Sequence, residues 1–191
     1  MNTGLPFLTY GVTLRGRYVI DSVIGSGGFG ITYKAWDNVL NCAVAIKEYF
    51  PKSFVSRTPG DVSVSVFTDM NTVEFDHGMK RFLKEAQDLA KFNNRPGIVS
   101  VYDFFEANNT AYMVMEFLDG CTLKDYLKAN GEKVNIDTGL YIIDCLLSVL
   151  ADVHKAGIIH RDISPDNIFI CTDSSVKLLD FGAAKQTMDI Y

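Results

Sequence analysis

Between His160 and Asn167 the chain reads H-R-D-I-S-P-D-N, and Asp180-Phe181-Gly182 follows shortly after. An acid, an amide and a second acid separated by short apolar runs meet at one point only if those runs pair as strands. Ile168, Phe169 and Ile170 on one side and Lys177, Leu178 and Leu179 on the other predict such a hairpin, with Asp173, Ser174 and Ser175 as its turn. Asp162, Asn167 and Asp180 then lie at neighbouring strand ends. Oxygen ligands placed there suit a magnesium ion, and one carboxylate is free to face a hydroxyl.

Upstream, a second set of residues is suited to phosphate. Gly25-Ser26-Gly27-Gly28-Phe29-Gly30 contains a GxGxxG spacing, which a dinucleotide fingerprint shares only when a helix follows. Here Ile31 to Trp36 reads as a strand, and no GxxxxGK[ST] pattern is present. A glycine-rich hairpin tip can instead lie flat on a phosphate chain, because residues without Cβ let backbone N–H groups approach the oxygens. Lys47 ends the next apolar run, residues 42–47, across the sheet from those glycines. Its ammonium would need a carboxylate to hold it. Glu85 qualifies: it sits beside the stripe Met79, Phe82, Leu83, Ala86, Leu89 and Ala90 of a helix predicted over 77–92, so it can point at the sheet.

The elements that position these groups follow from the same patterns. Residues 1–16, with Gly4, Pro6, Gly11 and Gly16, are expected to form a loosely packed arm. Strand patterns before and after the glycine cluster, at 42–47, and at 98–105 and 111–117 around Asn108-Asn109-Thr110 predict a five-stranded antiparallel sheet carrying one main helix. Residues 48–78 read as an insertion in which Val62, Val64 and Val66 suggest a small strand or hairpin. The predicted boundaries are a first lobe over 17–117, a linker over 118–120 and a mainly helical second lobe over 121–191. In the latter, a short helix over 122–129 is capped by Thr122, and a longer one over 136–156 is expected to bury Leu140, Ile143, Leu147, Leu150 and Val153. The fold class is α+β.

Composition narrows the functional classes. With 18 basic against 23 acidic residues and a net charge of −5, the chain lacks the footprint of a nucleic-acid binder. The four cysteines, Cys42, Cys121, Cys145 and Cys171, are far apart with no CxxC pair, which predicts buried, reduced thiols and a cytoplasmic location. The N-terminus lacks a basic start followed by an apolar run, and no stretch reaches the roughly 18 apolar residues of a membrane span.

Taken together, these motifs make the chain resemble a protein kinase domain of the bacterial serine/threonine type related to eukaryotic kinases, over about Arg17 to Gly182. The resemblance implies a two-lobe fold, ATP and Mg2+ as cofactors, and transfer of the γ-phosphoryl group to a protein hydroxyl. It implies that Gly25, Gly27 and Gly30 cover the phosphates, that Lys47 contacts the α and β phosphates and pairs with Glu85, and that Asp162 takes or orients the substrate proton. Asn167 and Asp180 would hold the metal. Met115 would stand beside the adenine pocket, Glu116, Phe117 and Leu118 would form the hinge, and Ala45 and Phe169 would sandwich the base. Leu89, Val101, His160 and Phe181 resemble the hydrophobic column of the active state, so His160 is read as a packed residue and not as a base.

Two departures from the family pattern stand out. Serine/threonine members usually carry lysine two residues after the catalytic aspartate, where this chain has Ser164. Tyrosine kinases lack that lysine too, but Pro165-Asp166-Asn167 resembles the serine/threonine form. Loss of that cation points to an alternative reading, a nucleotide-binding module with little transfer. The second departure is length: the sequence ends at Tyr191 with no APE motif, so the helix over 136–156 is expected to leave apolar surface unpartnered, at about 25 cal/mol per Å² left wet. A fragment of a longer kinase, or a dimer through that surface, would account for it. Arg161 suits a phosphorylated activation segment, in which Thr187 and Tyr191 are the remaining hydroxyls.

Overall fold

A computed structural model describes residues 6–181 and the strand Lys185–Gln186. Gly182, Thr187, Tyr191 and the first five residues of the arm lie outside the described residues. The chain divides into two compact units. One comprises residues through Ala90 together with Val101–Phe117; the other comprises Lys91–Ser100 and the chain from Leu118 onward.

The first unit is built on an antiparallel sheet of β1 (Thr13–Leu14), β2 (Tyr18–Ser26), β3 (Gly30–Asp37), β4 (Cys42–Tyr49), β7 (Val101–Ala107) and β8 (Thr110–Glu116), in the order β1-β2-β3-β4-β8-β7. The five longer strands are those the alternating pattern predicts. The two-residue β1 extends the edge, because the arm is tied down where looseness was expected. Leu8 and Leu14 are buried, the Leu8 N–H donates to the Tyr33 hydroxyl at 3.2 Å, and Thr13 pairs with Val19. At the same edge Arg17 grips the buried Asp37 with two bonds of 2.9 and 2.7 Å. That guanidinium, ahead of the opposing cost of burial, holds the Asp37 carboxyl down at about 2.

Between β4 and the helix, β5 (Val55–Ser56) pairs with β6 (Ser65–Val66), so the insertion does contain a hairpin. The helix α1 (Asp69–Ala90) begins eight residues before the expected start at residue 77. Gly78, a poor helix former, lies inside this helix, and a Cβ at that position would collide with Tyr49 of the sheet.

Cross-strand register sorts the sheet into two faces. Lys47 opposes Met113 and Ala45 opposes Met115, which places these four on one face. Glu48 opposes Tyr112 and Ile46 opposes Tyr33, placing those on the other. The Glu48 side chain is fully buried there with Arg57 from the insertion, whose guanidinium forms a two-pronged ion pair with it. Tyr33 and Tyr112 each donate a hydroxyl to the same carboxylate at 2.8 Å.

In the second unit, β9 (Gly120–Thr122), β11 (Ile168–Cys171) and β12 (Val176–Leu178) form a sheet in the order β12-β11-β9. The β11–β12 pairing is the hairpin expected from the sequence, and β9 is an added strand. Gly120 is required because a Cβ would strike the Ile170 carbonyl. The helix α2 (Leu123–Ala129) is capped by the Thr122 hydroxyl, which accepts the Asp125 N–H, and α3 (Ile136–Lys155) is capped by Asn135. The short β10 (Ile158–Ile159) pairs with β13 (Lys185–Gln186). Residues 91–100, expected with the first lobe, group here instead: the Leu178 N–H donates to the Gly97 carbonyl, Ile98 bridges to Leu178, and Lys177 donates to the Ile98 carbonyl.

Of the residues expected on the buried face of α3, Val153 is buried and Leu150 half-buried, but the other three are not. Ile142, Val149 and Val153 are buried, whereas Leu140 (61% exposed), Ile143 (53%) and Leu147 (62%) face outward. Both stripes are apolar and about 130° apart around the helix. Contact between Val149 and the bend at Gly97 favours the first. All four cysteines are free and half-exposed, not buried as expected. Among the described residues no helix is long and apolar enough to cross a membrane.

Candidate active site

In the first unit, the glycine-rich turn closes with the Gly27 N–H donating to the Gly30 carbonyl at 2.9 Å. The glycines have unlike reasons to be there. At Gly30 a Cβ would come within 2.8 Å of the Glu48 carbonyl, so the backbone demands glycine. At Gly27 and Gly28 a Cβ would meet nothing within 4 Å among the described residues, and Gly25 would make only ordinary contact with Thr32. Packing therefore does not explain the glycines at the tip. An external group approaching the backbone would explain them.

On the adjoining face, the Lys47 ammonium lies 3.5 Å from the Glu85 carboxylate, with the two side chains 22% and 11% exposed. Strand β4 supplies the first and the apolar stripe of α1 delivers the second, as the sequence suggests. Ala45 and Met115 are cross-strand partners on this face, and Val101 opposes Met115 from β7. Glu116 pairs with Val44 at the end of β8, and the neighbouring Phe117 ring receives the Lys34 ammonium at 4.9 Å. Leu89 and Val101 are both buried in this unit.

In the second unit, the loop between β10 and β11 is organised by Asn167. Its Nδ2 donates to the Asp162 carboxylate at 2.9 Å and to the Asp162 carbonyl at 3.0 Å. Its own backbone is fixed as well: its N–H donates to the Ser164 carbonyl and its carbonyl accepts the Leu179 N–H, at 2.9 and 2.8 Å. With Nδ2 committed, Oδ1 remains as an oxygen donor. Arg161 and Asp180, next to or within the acidic set, sit at φ 71° and 54°, a left-handed conformation that side chains other than asparagine and glycine rarely adopt.

His160 is packed, as the sequence reading prefers. Its ring meets Phe181 edge-on at 4.5 Å, one nitrogen contacts the Leu179 carbonyl at 3.0 Å, and the other accepts the Asp162 N–H at 3.3 Å. Burial pushes its pKa below the ordinary value, so the neutral ring is the stable form. Phe92, which the sequence reading did not single out, stacks on Phe181 at 6.4 Å. Phe169 lies in β11 between Thr122 and Lys177. Lys124, also not anticipated, places its ammonium 2.8 and 3.0 Å from the two Asp166 oxygens, and its N–H donates to the Pro165 carbonyl.

The donor chemistry fits a hard cation. Asn167 Oδ1 and the Asp180 carboxylate are oxygen groups of the kind such a cation takes. Among the described residues no group of three or more His, Cys, Asp or Glu forms a closed cage. Magnesium suits such a site, since it takes few protein ligands and completes its shell with water and phosphate oxygens. A cavity of about 650 Å³ lies elsewhere in the first unit, against Val66, Phe75, Met79 and Asn109, and none of the groups above line it.

The family model described as protein kinase domain matches residues 18–189. The chain is 37% identical over 174 residues to the serine/threonine-protein kinase PrkC of Bacillus subtilis, covering 91% of this chain and 24% of PrkC. It is 37% identical over 180 residues to the serine/threonine-protein kinase PknA of Mycobacterium tuberculosis, covering 92% of this chain and 37% of PknA. A solved structure titled PpkA-294 apo form superimposes with a TM-score of 0.87 at 38% identity, covering 93% of this chain and 62% of that one. The chain thus spans about a quarter of one of these two curated relatives and somewhat more than a third of the other, and it belongs to the protein kinase family.

Proposed function

We propose that the protein acts as an ATP- and Mg2+-dependent serine/threonine protein kinase. The observation that carries this reading is the bond from Asn167 Nδ2 to the Asp162 carboxylate at 2.9 Å, in a chain that belongs to the family. Bound Mg·ATP would supply the phosphoryl group and a cation that draws charge from it. The chain's part is positioning and charge. Backbone N–H groups at Gly25, Gly27 and Gly30 would approach the phosphates, and Lys47, held by Glu85, would place its ammonium on their oxygens. Asn167 Oδ1 and Asp180 would be the metal's protein ligands. Ala45, Met115, Glu116, Leu118 and Phe169 are the proposed contacts of the adenine base. Asp162, fixed by Asn167, would orient the acceptor hydroxyl and take up its proton.

A second reading rests on Ser164, which stands where a phosphate-neutralising lysine is usual: the chain binds nucleotide and transfers little. Phosphate transfer to a generic protein substrate separates the two when measured alongside Asp162→Asn and a thermal-shift titration with Mg·ATP. The kinase reading expects transfer that Asp162→Asn lowers by about 10²-fold or more. Equal rates for the two proteins would defeat it, and stabilisation by Mg·ATP without transfer would establish the module. All four cysteines are unpaired in disulfides, in keeping with a cytoplasmic setting for this domain. The exposed stripe of Leu140, Ile143 and Leu147 is the surface through which a second copy would pair.

A further inference from the structure

Lys47 is followed directly by a segment that touches each of the other nucleotide-facing parts of the first unit. The Phe50 N–H donates to the Phe29 carbonyl at 3.0 Å and the Lys52 N–H to the Gly28 carbonyl at 3.1 Å, so this segment holds down the tip of the glycine-rich turn. Tyr49 reaches in the other direction, toward α1. Its ring lies against Phe75 at 5.2 Å and Phe82 at 5.8 Å, residues that stand two turns apart on the face of the helix toward the sheet. Between them the helix backbone comes so close that a Cβ on Gly78 would lie 2.8 Å from the ring carbon bearing the hydroxyl and nearer still to the oxygen. The Tyr49 carbonyl is itself fixed by the Thr110 hydroxyl on β8.

We infer that the Tyr49 ring seated at Gly78 is the notch that sets the position of α1, and so the Lys47–Glu85 pair, making Tyr49 a positioning residue for phosphoryl transfer. Glu85 lies seven residues beyond Gly78, about two turns along the same face. A helix pushed outward at residue 78 carries Glu85 away from an ammonium already 3.5 Å distant. Helix propensity alone would favour alanine over glycine in mid-helix, so glycine here answers to the ring. Tyr49 belongs to the same strand as Lys47, two residues on. The strand that presents the lysine therefore also sets the distance of the helix that presents its partner.

The test uses Gly78→Ala, Tyr49→Phe and the double variant. A crystal structure of Gly78→Ala reads the Lys47–Glu85 separation without any need for turnover, and it is expected beyond about 4 Å. Transfer by that variant is expected to fall about 10²-fold, the usual cost of a misplacement near 1 Å. Tyr49→Phe removes the oxygen that a Cβ would strike first and leaves the ring carbon 2.8 Å away, so the double variant is expected to regain part of the loss and to bring the pair partly back together. An unchanged separation in Gly78→Ala would overturn the inference, as would a double variant no better than Gly78→Ala alone. The rate arm rests on the proposed kinase activity. A widened pair in a protein whose native form transfers nothing would leave the notch standing and defeat the functional reading instead.

Discussion

Two consecutive residues of β4 make two unlike ion pairs on opposite faces of one sheet. Lys47 meets Glu85 at 3.5 Å with both side chains still reached by water, 22% and 11% exposed. Glu48 meets Arg57 with both side chains almost completely buried, at 0% and 1%, and with two tyrosine hydroxyls completing the carboxylate's shell. The difference follows from what each charge is for. A pair at a wet face gains little for the fold, because water competes for both ions. Under the proposed function its ammonium would bind phosphate. A pair sealed under an insertion has lost its hydration and must be satisfied internally, so it contributes specificity of packing and cannot serve a ligand. Burial works against the Arg57 charge, and the Glu48 carboxylate outweighs it, leaving the guanidinium pKa raised.

The sharpest way to break this contrast is Arg57→Met. It strands a carboxylate in a dry site, a defect that costs about 3–5 kcal/mol in comparable cases. Chemical denaturation should show that loss. The double variant Glu48→Gln/Arg57→Met should recover most of it, because the amide brings no charge, its oxygen still accepts from one tyrosine hydroxyl and its NH2 can donate to the oxygen of the other. If Arg57→Met unfolds with the native midpoint, the buried pair is not holding the insertion to the sheet.

Lys47→Met reverses the pattern. Stability should change by no more than about 1 kcal/mol, since the pair is partly solvated. Phosphate transfer should fall by about 10²–10³-fold, the usual cost of removing one preorganised cation or donor. A large loss of stability with transfer intact would exchange the roles assigned to the two pairs.

Only one of these pairs was legible in the sequence. Lys47 announces itself by ending an apolar strand after a glycine-rich turn, and Glu85 by its place beside a helical stripe. Glu48 carried a signal of its own that went unused: alternation puts it on the face of Val44 and Ile46, where a charge needs a partner. Nothing in sequence spacing points to Arg57, which lies in an irregular stretch and arrives only through the folding of the insertion. The β11–β12 hairpin and the long strands were readable because period-two patterns and turn residues agree. The buried face of α3 was not, because Ile142-Val149-Val153 and Leu140-Ile143-Leu147 are equally good helical stripes and only tertiary contact chooses between them. Likewise Gly78 is only a poor helix former when considered along the chain. It becomes intelligible only across space, under Tyr49.

The smallest expected effect concerns the two hydroxyls that close the buried pair. Replacing Tyr33 or Tyr112 by Phe removes one bond to a charged acceptor that keeps Arg57, so each should cost about 1.5 kcal/mol near neutral pH. Their pH behaviour is more diagnostic. Burial first, and then the Glu48 charge, push both phenols well above the ordinary value of 10. The folded state thus keeps protons that the unfolded chain begins to lose near pH 10. Stability from this source is complete below that pH and declines as pH rises above it, by about 1.4 kcal/mol per unit for each tyrosine. Denaturant titrations between pH 9 and 11.5 should show that slope in the native chain, less of it in either Phe variant, and least in the double variant. An identical alkaline slope in all four proteins would mean that the hydroxyls are not sealed with Glu48, and that the second pair is as open to water as the first.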